Sequence, residues 1–425
     1  MISLEQHSKD RGGAAVAVVG AGIVGCATAL ALASEGHRVT VFDPDAPGAG
    51  TSSGNAGAIV TGSVTPTATP AVLKALPSYL LDRSSPAVLR LRHAPKALPW
   101  LLRFIRAGMP AEVNRIAAAL SPLVSRSLEA HRALAALAGA DGLITQEGWL
   151  KVYASEAEFA GSALDRRLMD RHGVNYRILS RKEVTDLEPN LDPALCAIGF
   201  HQPESGFVRF PQGLAQAYLD AAVRRGARHL RQKVRGAARR SGGVTVHAEG
   251  GAKDFDRLVI CAGAWSAPLA RTLGDRVSLD TERGYHIGFG PGTASLMRGP
   301  VVFPALSMVL TPMHDGIRLV SGDELAGLNA PPDYRRIRAL IPRAHRALPA
   351  LREAAPATEW MGFRPSTPDS LPVIGPSAHG GEVIYAFGHG HLGLTLAAIT
   401  ARMVADTIAG RPAAFDPAPY LAARF

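Results

Sequence analysis

The first run of apolar positions in the chain, Val16 to Val19, is short, continuous and rich in β-branched residues, the pattern of a strand buried on both faces. It runs straight into Gly20-Ala21-Gly22-Ile23-Val24-Gly25, and there the period changes. Ala27, Leu30, Ala31 and Ala33 fall on a helical repeat that reaches Gly36, a residue suited to close a helix. A second strand is predicted over 38–42, with Asp43 at its carboxyl end. The same order of apolar strand, small residues and helix start returns at Leu258-Val259-Ile260-Cys261-Ala262-Gly263-Ala264-Trp265-Ser266. It returns again at 383–387, which enters Gly388-His389-Gly390-His391-Leu392-Gly393-Leu394-Thr395 and a helix from about Leu394 to Ile408, closed by Gly410. Between these units, 210–225 carries Leu214, Tyr218 and Ala221 on one helical face and ends at Gly226.

The intervening segments read differently. Residues 60–109 are rich in Pro and Leu. Ser121-Pro122 predicts a helix cap followed by proline at the first helical position, with the helix running to about Ala138 and burying Val124, Leu128, Leu134 and Leu137. Strands are expected at 149–153, 285–289 and 317–320, and no internal repeat is found. A chain of 425 residues suggests two or three cores. No apolar run approaches the roughly 20 residues of a bilayer-crossing helix. The run from Ala14 to Val19 lacks a cleavage-site pattern and reads as a strand, not as a signal peptide.

Composition narrows the class. The three cysteines, Cys26, Cys196 and Cys261, are scattered and form no C-x-x-C pair, so neither a disulfide framework nor a cysteine-based metal site is expected. No metal is assigned, and a reducing cytoplasmic compartment fits best. The net charge of +10 is spread over short runs such as Arg224, Arg225, Arg228, Arg231, Lys233 and Arg235 at a helix-to-strand junction. A nucleic-acid binder would gather such charge with aromatics, and none is expected as a partner. Attraction to an anionic membrane or metabolite stays open as the minor alternative.

The first unit carries specific chemistry. Gly20 permits a tight turn, Gly22 lets the backbone approach a pyrophosphate, and Gly25 lets helix and strand pack closely. Ile23 and Val24 then open a helix whose unpaired N–H groups suit phosphate. Asp43 is placed to accept a ribose 2′-hydroxyl, which favours NAD or FAD over NADP. The unit alone leaves NAD and FAD open. Thr51-Ser52-Ser53-Gly54-Asn55-Ala56-Gly57 adds small and hydroxyl residues suited to a flat ring and a ribityl phosphate. The late helix start near Leu394 adds a second place for negative charge, of use to a reduced flavin and not to NAD.

The set G-A-G-I-V-G, S-S-G-N-A-G, G-F-R-P-S-T-P-D-S-L-P-V-I-G and G-H-G-H-L-G-L-T-L-A resembles the FAD-dependent D-amino acid dehydrogenases, within the wider D-amino acid oxidase, glycine oxidase and sarcosine oxidase superfamily. The resemblance covers the chain from Ala14 to its end. It implies an α/β architecture: a Rossmann-type, discontinuous FAD-binding domain (1–59, 203–275 and 359–425) and an α+β substrate domain with a mostly antiparallel mixed sheet (60–202 and 276–358). FAD would be bound by Gly20, Gly22, Ile23, Val24, Gly25, Asp43, the stretch from Thr51 to Gly57, Val234, Ala262, Gly263, Trp265, and the stretch Gly390, His391, Leu392, Gly393, Leu394 and Thr395. Relatives that attach flavin covalently use a histidine in the first loop or a cysteine before the last helix. This chain has Asn55 there and no cysteine after Cys261, so FAD is expected to be non-covalent.

The resemblance also implies oxidative deamination of a small D-amino acid. The arginine of its G-x-R-P motif holds the substrate carboxylate, and Arg364 stands in that position; the alternative is a salt-bridged arginine, with Asp369 as partner. Tyr285 and His286 are further candidates, of which strand alternation allows only one to face the flavin. His389 and His391 flank Gly390 and stand as candidates for tuning the flavin or touching substrate. The sequence around 203–209 diverges from dehydrogenases of broad specificity, so a cyclic substrate such as D-proline or cis-4-hydroxy-D-proline is considered. Electrons are expected to pass to a quinone or other carrier, with a glycine- or sarcosine-type oxidase making hydrogen peroxide as the alternative. With a membrane acceptor, the apolar, arginine-studded segment 71–109 would dock at the inner face of the membrane; otherwise it is an amphipathic lid or a core helix pair.

Overall fold

The computed structural model describes residues 13–81 and 87–425. Residues 1–12 of the first cofactor segment, and 82–86 of the proposed docking segment, lie outside the described residues.

Two large sheets organise the chain. The first has six strands in the order 373–377, 380–387, 257–260, 15–19, 38–42 and 228–230. All neighbours are parallel except the 373–377 edge. Alternation explains its burial on both faces. Val16, Val18, Val39, Val41, Val259, Ile384 and Ala386 meet a layer of helices, Ile23–Ser34, Ser127–Ala138, Pro211–Arg224 and Gly393–Ala409. Ala17, Val19, Leu258, Ile260, Val383 and Tyr385 meet a three-stranded antiparallel sheet, Val234–Arg240, Gly243–Ala248 and Gly251–Phe255. The glycines expected to close helices do so: Gly36, Gly226 and Gly410 all have positive φ.

The second sheet has nine strands. Eight run in the order 358–366, 280–288, 316–325, 308–313, 301–303, 149–153, 198–202 and 177–180, and 87–89 pairs with 316–325 off this path. Its pairing is antiparallel except at 301–303 with 149–153 and at 87–89. Thr358–Ser366, which the sequence reading grouped with the cofactor segments, is an edge strand of this sheet. The chain changes sheets only after Ser366.

Two local expectations are corrected. Ser121-Pro122 does not start a helix; it lies in the last turns of Pro110–Val124, and a new helix begins at Ser127. Val113, Ile116, Ala117, Leu120 and Leu123 keep one buried stripe through the proline, and this burial outweighs the hydrogen bond that Pro122 removes. Leu137 is 46% exposed. The buried face of its helix runs through Ser127, His131, Ala135 and Ala138, and places Leu137 on the flank. The stretch Gly390–Ala409 has the length and mean hydropathy (20 residues, 1.4) of a bilayer-crossing helix, which the sequence reading did not register. Its helix packs against Ile23–Ser34 as a core element.

Candidate active site

At the carboxyl ends of strands 15–19, 38–42 and 257–260 the glycines divide into two kinds. A Cβ on Gly20 would lie 2.4 Å from the Cys261 carbonyl oxygen, and one on Gly25 would lie 1.9 Å from the Gly20 oxygen. These two glycines let backbone pack on backbone. A Cβ on Gly22 would meet only Ser52 Oγ, at 3.5 Å, and one on Gly263 would meet nothing within 4 Å. These two present bare backbone to open space, a cradle that side chains would fill. Into the same crevice points the start of helix Ile23–Ser34, which lacks a side-chain cap at Gly22. Ser52 Oγ accepts the Ile23 N–H at 3.0 Å, and Asp43 Oδ2 accepts the Ala21 N–H at 2.7 Å. Val234, half-buried, begins the strand Val234–Arg240, Ala262 follows the carboxyl end of 257–260, and the exposed Trp265 stands edge-on to Phe363. A helix start at an open glycine face and a carboxylate at the second strand's end together fit a dinucleotide.

The loop that follows is fastened to the nine-stranded sheet. Arg318 Nη1 donates to the carbonyls of Ser53 and Asn55, both at 2.9 Å. His286 Nδ1–H donates to Gly54 O at 3.0 Å, and Thr311 Oγ1 to Ala56 O at 3.0 Å. Thr51 Oγ1 donates to Phe363 O at 2.9 Å, and Val208 N–H to Gly57 O at 2.7 Å. Within the loop, Asn55 Nδ2 donates to Ser52 O and its Oδ1 accepts Gly57 N–H. Every carbonyl from Ser52 to Gly57 therefore has a donor.

Register assembles the face of the sheet that looks on this loop. Glu282, Gly284 and His286 stand opposite Arg364, Gly362 and Trp360. The Trp360 indole lies over Gly54 and Gly362 and stacks on His286, ring centroids 5.0 Å apart. Burial pushes the His286 imidazole down to about 4, with Arg318 adding to the shift, so it is neutral near pH 7. The Arg364 guanidinium lies over the bare backbone of Gly284, and its Nη1 donates to Gly322 O at 2.8 Å and Asp323 Oδ1 at 2.6 Å. Asp369, the partner considered from the sequence, is instead bound by Arg424. His391 Nε2 lies 3.3 Å from Glu282 and 3.6 Å from Asp323, while Ser366 Oγ donates to Glu282 at 2.7 Å. Burial alone would raise the Glu282 carboxyl, but His391, Ser366 and Arg364 outweigh it and hold it below the usual carboxylate range. Beside this group is a cavity of about 60 Å³ lined by Glu282, Ser366, Thr65 and the stretch from His389 to Leu392. A larger one, of about 680 Å³, begins at Gly322 and Asp323 and is walled by Tyr285, Ser321 and Glu324. Glu282, Asp323 and His391 offer three ligand atoms within 4.8 Å of one another, but Asp323 is already bound to a guanidinium.

Tyr285, His389 and Thr395 are engaged by partners other than the loop at 51–57. Tyr285 is on the opposite face, as alternation requires once His286 faces the loop; its hydroxyl donates to Glu324 at 2.5 Å and burial pushes it up to about 12. His389 is buried, hydrogen-bonded through Nε2 to Thr400 at 2.9 Å, and pushed down by burial to about 3, which makes it a neutral structural side chain. Thr395 is buried and spends its hydroxyl on Val60 N–H and Ala58 O. The late-helix stretch is also held from behind, since the buried His131 donates through Nε2 to Leu394 O at 2.7 Å. The sequence reading missed Glu282, Asp323, Arg318, Thr311, Trp360 and His131. Only Glu282 carried a signal, its period-2 spacing from Gly284 and His286.

Three comparisons bear on this arrangement. The sequence matches the family DAO, FAD dependent oxidoreductase, over residues 15–407. It is 37% identical over 419 residues to a D-amino-acid oxidase of Bradyrhizobium diazoefficiens, covering 96% of this chain and 98% of the relative. It is 36% identical over 432 residues to D-amino acid dehydrogenase 2 of Ralstonia nicotianae, covering 96% of this chain and all of the relative. Among solved structures it is similar to glycine oxidase from Geobacillus kaustophilus, with a TM-score of 0.74, 25% identity and coverage of 98% and 100% of the two chains.

Proposed function

The chain belongs to the DAO family of FAD-dependent oxidoreductases, and we propose that it oxidises a small D-amino acid at the Cα–N bond with non-covalent FAD. One observation carries the reading. A guanidinium, Arg364, sits on the same sheet face as His286, whose ring is bonded to the cofactor loop. A planar fork of donors is the group that best grips a carboxylate in two parallel hydrogen bonds. When bound, FAD supplies the two-electron acceptor for the hydride that leaves substrate Cα. The chain's own residues bind and orient. Gly22, Ile23, Ser52 and Asp43 hold the dinucleotide, Arg318, His286 and Thr311 fix the loop beside it, and Arg364 fixes the carboxylate. The substrate ammonium must first lose a proton; hydride loss leaves an iminium cation, which reacts with water to give a 2-oxo acid and, from a primary amine, ammonium.

The test is anaerobic. The yellow holoenzyme is mixed with a panel of D- and L-amino acids that includes D-proline, cis-4-hydroxy-D-proline, glycine and sarcosine. Bleaching by D-isomers supports the proposal, and bleaching by no amino acid overturns it.

For the acceptor, the proposed reading is a carrier at the membrane. Leu91, Leu98, Leu102, Ile105 and Met109 are exposed along and beside helix Ala94–Ala107, spaced as one helical stripe. Arg92, Lys96, Arg103 and Arg106 flank one side of it, and no Asp or Glu occurs from 83 to 111. This pattern suits an anionic leaflet. Co-sedimentation with vesicles containing anionic lipid, and not with neutral vesicles, is expected; equal behaviour with both sinks it. Oxygen is the second reading, supported by the names of the oxidase relative and the glycine oxidase neighbour, and hydrogen peroxide formed on readmitting air identifies it.

A further inference from the structure

Arg364 is engaged before any substrate arrives, and its partner is unlike the other acid of the face. Glu282 is buried and held by Ser366 and His391. Asp323 has a side chain 41% exposed and gives Oδ1 to the guanidinium. Among the described residues, its Oδ2 makes no hydrogen bond. One carboxylate oxygen therefore neutralises Arg364 while the group as a whole stays partly exposed.

Resting on the reading of Arg364 as the carboxylate clamp, we propose that Asp323 is a specificity-determining residue that receives the substrate's ammonium group. A zwitterion then replaces the internal ion pair charge for charge, its carboxylate on Arg364 and its ammonium on Asp323. An acid without the ammonium cannot make this exchange. It would displace Asp323 from the guanidinium and leave that carboxylate with only His391, which Glu282 shares, beside the incoming anion. Two carboxylates crowded beside one guanidinium repel each other, and such a built-in clash is how a site rejects a near-isostere. The same asymmetry acts on the product side. A 2-oxo acid has lost its nitrogen cation and finds Asp323 repelling it, so the residue favours substrate entry and product release together.

The test uses two ligands of one carbon skeleton. 2-Aminoisobutyrate is a zwitterion with no Cα hydrogen to lose, and isobutyrate is the same acid without the ammonium. Their binding to the FAD-loaded enzyme is measured by titration calorimetry. Wild type is expected to prefer the zwitterion by about tenfold or more. In Asp323→Asn the zwitterion weakens by about tenfold, isobutyrate holds or tightens, and the preference collapses. Asp323→Glu keeps the charge and the preference, and Asp323→Ser serves if Asn folds poorly. A wild type without preference overturns the proposal. So does an Asn variant that keeps the preference, or one that weakens both ligands together, because the residue would then only position Arg364. The parent reading fails by a different sign: no D-amino acid bleaches the wild-type flavin.

Discussion

The two sheets solve recognition in opposite ways. The six-stranded sheet offers backbone, in the bare faces of Gly22 and Gly263 and the start of Ile23–Ser34. The nine-stranded sheet offers side chains drawn from three strands far apart in sequence, Glu282, Asp323 and Arg364. Backbone recognition suits a ligand that is the same in every turnover, because amides and glycines cannot be exchanged for other chemistry. Side chains suit the ligand that differs between relatives, since one substitution rewrites the charge of the face. The division teaches that cofactor and substrate specificity can vary independently in this molecule.

The largest effects should break the backbone side. Gly22→Val fills an open face, so the protein should fold with normal circular dichroism and retain less than about a tenth of its flavin. Gly25→Val drives a side chain into the Gly20 carbonyl, and loss of the folded protein is expected instead. A Gly22 variant with full flavin would end the distinction. Next is Arg364→Lys, which keeps the charge but loses the fork. Substrate binding should fall about a hundredfold with flavin content unchanged, read by anaerobic titration of flavin bleaching.

A smaller effect separates the two by pH. His131, behind the late helix, and His286, on the substrate face, are both pushed by burial to about 4 from 6.5. With the folded value below the unfolded one, the unfolded chain binds more protons between these limits. The stability from each neutral ring is thus complete above about pH 6.5 and lost as pH falls toward 4, on the order of a few kcal/mol per ring. Thermal melts from pH 7 to 4 should show this decline, with a flatter slope in His286→Gln. The smallest change in catalysis belongs to Tyr285→Phe. Its hydroxyl serves Glu324 on the far face, so kcat/KM should stay within about twofold while stability drops by about 1 kcal/mol. A large kinetic loss would return Tyr285 to the substrate side.

What could be read from the sequence follows the same division. The strands Arg38–Phe42 and Trp149–Tyr153 stand where their apolar periods place them, and Gly20 and Gly25 make the close backbone contacts that their six-residue motif predicts. Local order encodes them. Asp323 carries no such mark: it reaches Arg364 because Gly322 and Asp323 sit at a register shift between strands 280–288 and 316–325. Arg318 is equally silent, an arginine in an apolar strand that finds two loop carbonyls more than 260 residues away. Ser121-Pro122 misled for the converse reason, a strong local signal overridden by a buried stripe that continues past it.

The loop at 51–57 has one more consequence. Ser53 to Asn55 present successive carbonyls to Arg318 and His286, and Ala56 presents the next to Thr311, donors fixed on rigid strands. Inserting or deleting a single residue would offset the whole row from its donors, by up to the 3.8 Å that separates neighbouring Cα atoms. Surface loops ordinarily tolerate changes of length and drift during divergence. This one is length-locked, and functional descendants of this sequence should vary its letters while conserving its count.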